Sequence, residues 1–133
     1  MADVIIVARY LLRYELRKLK QADKRTGLIQ IYSPGKTPME VEADDTLELC
    51  FSDIERDELD KRIFDKSQVE AIKLFIARLQ EDKVDTLLIS DEGDRRAASL
   101  AVAIEHEYPD FYSGIDSTKL NTHILNTFIN KEV

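Results

Sequence analysis

The chain is short of the residues on which several common kinds of protein are built. It has one cysteine, Cys50, in 133 residues, so no internal disulfide can form and a reducing cytoplasm is the expected compartment. No apolar run comes near the roughly 20 residues of a membrane-spanning helix. The opening "MADVIIVARYLL" has an acid near its start and no small-residue cleavage site, so it does not read as a secretion signal. The chain has four glycines, and the glycine–lysine step in "YSPGKTP" falls far short of a nucleotide-binding loop; it reads as a turn. Of the two histidines, His106 stands between Glu105 and Glu107 in sequence rather than on one helical face with them, so no metal site is expected and no cofactor is implied.

What remains is ordinary for a water-facing globular chain: 44% apolar and 34% charged residues, long enough for one domain over residues 1–133 that buries roughly two-thirds of its unfolded surface. The net charge of −7 is unevenly spread. Residues 1–36 hold 8 Lys/Arg against 3 Asp/Glu, and the remainder 11 against 23. Most of the surface should therefore repel nucleic acid. Arg9, Arg13, Arg17, Lys20 and Lys24 recur at helical spacing and predict a basic stripe able to meet an acidic partner, or simply a solvated helix face.

Strand-like and helix-like segments alternate. "VIIVAR" (residues 4–9) predicts a strand, and Leu12, Leu16 and Leu19 predict a helix over 10–21. "GLIQIYS" (27–33) and "TLELCFS" (46–52) predict two more strands, separated by the proline-rich turn. Ser67 and Glu70 suggest a capping box, opening a helix lined by Val69, Ile72, Ile76 and Leu79 and running to about residue 82. "TLLIS" (86–90) is wholly apolar apart from its ends, as a strand buried on both faces would be. The segment from Ala97 to Ile104 is apolar almost all round, which makes it the enclosed central helix. Leu120, Ile124, Leu125, Phe128 and Ile129 predict a last helix, with Asp116 or Ser117 as its cap. The alternation argues for an α/β fold with a mainly parallel sheet of four strands flanked by helices.

In such folds ligands bind beyond the carboxyl ends of the strands, where helix N-termini offer free N–H groups. The loop there runs Ser90, Asp91, Glu92, Gly93, Asp94, Arg95, Arg96. Its frame, Ser90 then five residues then Arg96, resembles the phosphate-wrapping loop of cysteine-dependent protein tyrosine and dual-specificity phosphatases. "YSPG", "LELCFSDIER", "FDKSQVEAIKLFIARLQ" and "DTLLIS" fall in the order of similar segments in the small bacterial and phage members, over roughly residues 4 to 130. The resemblance implies that Ser90 occupies the nucleophile position, Arg96 the phosphate-gripping position and Asp53 the general-acid position, with Asp57 a weaker second.

The chain departs from that pattern where the chemistry is done. A serine hydroxyl is far less acidic than a cysteine thiol and needs a neighbouring base; neither His106 nor His123 stands near in sequence. The family's histidine before the nucleophile is Ile89 here, and its hydroxyl residue after the arginine is Ala97. Glu92 and Asp94 add negative charge to a loop meant for a dianion, at a cost on the order of 1 to 3 kcal/mol for like charges about 5 Å apart. Glu92 and Asp94 are expected to turn outward and pair with Arg95 or Arg96. "CFSDIER" repeats the spacing from Cys50 to Arg56 but has no glycine, and Cys50 reads as a small buried residue.

The function implied is that of a catalytically inactive phosphatase-like domain that binds a macromolecular partner, expected to be a protein, through the basic stripe or the acidic loop rim. Two alternatives stand beside it. One is a phosphatase captured with serine in place of its cysteine, which leaves Ile89, Glu92 and Ala97 unexplained. The other is a sensor that holds a phosphorylated ligand or nucleotide without cleaving it. A phage source would make antagonism of a host defence factor a natural role. Neither a membrane nor a nucleic acid is an expected partner.

Overall fold

The computed structural model describes residues 2–115 and 119–129. Strand β1 (Ala2–Ala8) leads through a 3-10 turn at Arg9–Leu11 into helix α1 (Leu12–Gln21). Strands β2 (Thr26–Tyr32) and β3 (Asp45–Cys50) follow, then α2 (Lys66–Glu81), β4 (Thr86–Asp91), α3 (Arg95–Glu107), β5 (Phe111–Tyr112) and α4 (Thr122–Ile129). The sheet is wholly parallel, in the order β3-β2-β4-β1-β5. It has five strands rather than the expected four. The extra one, β5, is a two-residue edge strand with no periodicity of its own, held by pairing of Phe111 with Ala2 and by burial of the Phe111 ring.

The pleat of the strands sorts the core into two layers, because successive side chains point to opposite faces. Leu87, Ile89, Ile29, Ile31 and Val4 pack with Ile72, Ile76 and Leu79 of α2, with α3 and with Ile124 and Phe128 of α4. Leu88, Leu28 and Val7 face the other way, onto Leu12, Leu16 and Leu19 of α1 and onto Met39 and Val41. Gln30 lies on this second face, where its amide exchanges two 2.9 Å hydrogen bonds with the Met39 backbone and holds the segment after β2 against the sheet. Each fully buried leucine or isoleucine contributes about 1.5 to 3 kcal/mol.

The predicted central helix is confirmed: Ala97, Ala98, Leu100, Ala101, Ala103 and Ile104 are all buried in α3. Helix α2 does begin with a capping box, but two residues earlier than expected. The Asp65 carboxylate accepts from Gln68 N while Gln68 Oε1 accepts from Asp65 N. Ser67 donates its hydroxyl to Asp65 Oδ1 at 2.5 Å, and so supports the cap instead of being it. Helix α4 starts later than its apolar spacing suggests, at Thr122, with Asn121 as the cap: Asn121 Oδ1 accepts from Ile124 N at 3.1 Å. Asp116 and Ser117, the expected caps, lie outside the described residues. Among the described residues no helix is long and apolar enough to cross a membrane.

Candidate functional site

The carboxyl ends of β1, β2, β3 and β4 converge on the loop from Ser90 to Arg96, which joins β4 to α3. Asp91 is the last residue of β4, paired with Ala8, so the irregular part of the loop is only Glu92 to Asp94. The pleat then decides which side chain meets Arg96. Asp91 follows Leu87 and Ile89 onto the sheet face that α3 covers. Ser90 follows Leu88 onto the α1 face, in register with Val7 on one side and Gln30 on the other.

Arg96 lies in the first turn of α3 and is buried. Its Nε and Nη2 groups donate to the two oxygens of Asp91 at 2.8 and 2.6 Å, in the fork-to-fork geometry that guanidinium gives to carboxylate or phosphate. Its Nη1 donates to Ser33 Oγ at 3.0 Å and to the Phe51 carbonyl at 2.6 Å, with the Phe51 ring 5.8 Å away. One side chain thus ties together the segments that end β2, β3 and β4. Asp91 also accepts the Glu92 backbone N–H at 2.7 Å. A loop amide and the bidentate edge of the arginine, both of which would hold an anion, are thus bound to the chain's own carboxylate. Burial pushes the Asp91 carboxyl up from its ordinary value, against the lowering pull of Arg96 and of the Glu92 amide.

The neighbouring charges are committed differently from the sequence expectation. Arg95 pairs with Asp53 at 2.9 Å and with Glu55 at 3.2 Å, both from the loop after β3, and not with Glu92 or Asp94. Glu92 lies 3.9 Å from Arg9. The pairing expected of Glu92 and Asp94 with Arg96 is made by Asp91 instead, because strand alternation points that acid at α3.

Asp53, which the sequence resemblance singled out as a general acid, is held by two donors on one oxygen: Arg95 Nη1 at 2.9 Å and Asn121 Nδ2 at 2.8 Å. Glu55 binds both the hydroxyl and the N–H of Thr122, and these bonds hold its carboxyl below the usual range. The loop after β3 is therefore fastened to α3 and to the start of α4. Asp57 is exposed.

The Ser90 hydroxyl makes no hydrogen bond to a described residue, and Ser90 is buried. His123 Nε2 is 2.7 Å from the Phe64 carbonyl and His106 lies beside Glu107, so both are engaged elsewhere. Ile89 and Ala97 are fully buried core residues. Gly93 takes no left-handed φ, and a methyl group there would meet nothing within 4 Å. Cys50, expected to be buried, is partly exposed; its carbonyl accepts from Gln68 Nε2 at 2.9 Å. Arg56 is exposed in the loop beyond it.

The basic stripe is shorter than its spacing suggests. Arg9 belongs to the 3-10 turn, where it donates to Thr37 O at 2.6 Å, and Lys24 follows α1 beyond Asp23, whose φ is 56°. Arg13, Arg17 and Lys20 lie on α1 itself, exposed. Sequence reasoning missed Ser33, Glu55 and Asn121, whose only signals were a turn and a cap-forming residue type.

No protein-family model matches the chain, and no curated protein matches it in sequence. Among solved structures, the phosphatase Tk-PTP in its active form superposes with a TM-score of 0.58 at 12% identity, over 99% of this chain and 95% of that one. OH1 from the Orf virus, a tyrosine phosphatase, gives 0.45 at 16% identity, over 98% of this chain and 70% of that one. The match to Tk-PTP spans nearly the whole of both chains and agrees with the parallel sheet and flanking helices described above: this chain has a protein-tyrosine-phosphatase-like fold.

Proposed function

We propose that the chain is a phosphatase-like domain that does not hydrolyse phosphoesters and acts by binding a macromolecular partner. The observation that carries this reading is the bidentate contact of Arg96 with Asp91, at 2.8 and 2.6 Å. A phosphoryl group would have to displace a carboxylate already seated in the fork of the arginine. The Ser90 hydroxyl, which the sequence resemblance sets at the nucleophile position, follows strand alternation onto the opposite sheet face from Asp91 and has no hydrogen-bonded base among the described residues. The same contact counts against a phosphate or nucleotide sensor built on Arg96.

Assay of p-nitrophenyl phosphate hydrolysis by the unmodified protein and by Ser90→Cys tests this. Neither is expected to turn over substrate. Turnover in either protein that is lost in Arg96→Lys would overturn the proposal, and turnover confined to Ser90→Cys would restore the reading of a phosphatase carrying serine for cysteine. Titration with inorganic phosphate, followed at the Gly93 amide, separates the sensor reading: a saturating shift would favour it.

A further inference from the structure

We infer that the exposed face of α1, together with the open depression beside its N-terminal end, docks an acidic polypeptide segment that leads with an apolar or aromatic side chain. The inference rests on the reading of the domain as a binding module and names the partner chemistry. Leu12, Leu16 and Leu19 bury one side of the helix, which at 100° per residue leaves Arg13, Tyr14, Arg17 and Lys20 on the side turned to solvent. Tyr10 and Tyr14 are 83% and 57% exposed. Lys18 already pairs with Glu15 and lies over the Tyr14 ring. Arg13, Arg17 and Lys20 form no ion pair among the described residues.

Unpaired cations interleaved with exposed tyrosines stand out in a chain of net charge −7. Arginine and tyrosine are the residue types that carry binding energy at protein interfaces. Tyr10 also lines a shallow, open depression of about 320 Å³ with Arg9, Met39 and Glu92. The tyrosine ring and the methionine chain make its apolar walls. A segment seated there would place its anchor beside Tyr10 and run its acids past Arg13 and Arg17 to Lys20. That path is about 15 Å long, or four to five residues of extended chain. A nucleic acid fits less well, because its backbone would continue past the stripe onto a surface where residues 37–133 hold 11 Lys/Arg against 23 Asp/Glu.

The test uses a fluorescein-labelled peptide of one phenylalanine followed by four glutamates, read by anisotropy and by amide shifts of the full chain. Controls carry four lysines, or glycine for phenylalanine, and a fifteen-residue oligothymidine is the nucleic-acid arm. The glutamate peptide is expected to bind, to shift the amides of Tyr10 to Lys20, and to weaken severalfold when its phenylalanine is removed. In Arg13→Glu/Arg17→Glu, whose far-ultraviolet circular dichroism should match the parent, affinity should fall roughly tenfold. The idea is overturned by equal binding to the charge-reversed variant, by no binding at millimolar peptide, by indifference to the phenylalanine, or by tighter binding of the oligothymidine. Those failures leave the phosphatase assay silent, whereas turnover would sink the inactive-domain reading and leave the peptide result standing.

Discussion

Asn121 Nδ2 donates to Asp53 Oδ1 at 2.8 Å across 68 residues of sequence. The same amide reaches the Ile54 carbonyl at 3.1 Å, its oxygen caps α4 through Ile124 N, and its backbone N–H donates to Ser99 Oγ at 2.7 Å. One buried side chain thus fixes the loop that carries Asp53 and Ile54. Asn121→Ala should destabilise the fold by about 2 to 4 kcal/mol, combining a lost cap with a buried carbonyl left unsatisfied. Urea denaturation measures it, and a loss under about 0.5 kcal/mol would show that the Asn121 side chain does not bridge these elements.

The Asp91–Arg96 pair should be strongly non-additive. Asp91→Leu or Arg96→Met alone strands a buried charge, at about 3 to 5 kcal/mol. The double substitution replaces the pair with apolar groups and should recover most of that. Additive losses across the cycle would contradict a direct ion pair.

Acid should undo part of α2. The Ser67 hydroxyl, with help from the Gln68 amide, holds the Asp65 carboxyl below its usual value despite the opposing effect of burial. A depressed folded-state value means that the cap stabilises above the ordinary carboxylate value of about 3.9 and loses that contribution as pH falls through the lower folded one. Asp65→Asn, which keeps a capping oxygen but no charge, should flatten stability against pH in that window. An unchanged slope between pH 2 and about 4 would refute the assignment.

Two glycines should respond oppositely to alanine. At Gly93 the added methyl meets open space, so Gly93→Ala should be neutral or stabilise by up to about 1 kcal/mol through the unfolded chain. At Gly27 a Cβ would lie 2.6 Å from Leu79 Cδ2 in the packed core, and Gly27→Ala should cost about 1 to 3 kcal/mol. Thermal melts of the two variants distinguish them.

Much of this was legible in the sequence, because the periodicities that mark helices and buried strands are also what bury them. Leu12, Leu16 and Leu19 announced α1, and the apolar residues from Ala97 to Ile104 announced the enclosed helix. Strand β5 escaped, since two residues carry no period. The cap of α2 was misplaced because Asp65 with Gln68 and Ser67 with Glu70 offer the same pattern two residues apart, and only the observed hydrogen bonds choose between them. At the site, spacing drew attention to the stretch from Ser90 to Arg96, where the structure shows Arg96 buried and paired with Asp91. It did not reveal that β4 continues one residue further, to Asp91, and that single residue determines which acid faces α3. Asn121 was hidden because its partners are distant in the chain.

The strand order has a consequence for synthesis. β4 lies between β1 and β2, so while the segment up to residue 85 has emerged from a ribosome and β4 has not, β2 and β3 can pair but β1 has none of its sheet neighbours. The nascent chain must keep the Val4–Val7 edge and the Leu28–Ile31 edge apart until Thr86–Asp91 arrives to join them. Parallel pairings of such long separation form slowly and leave unpaired edges exposed meanwhile. Chains stalled or cut short before β4 should be the ones that recruit chaperones or aggregate.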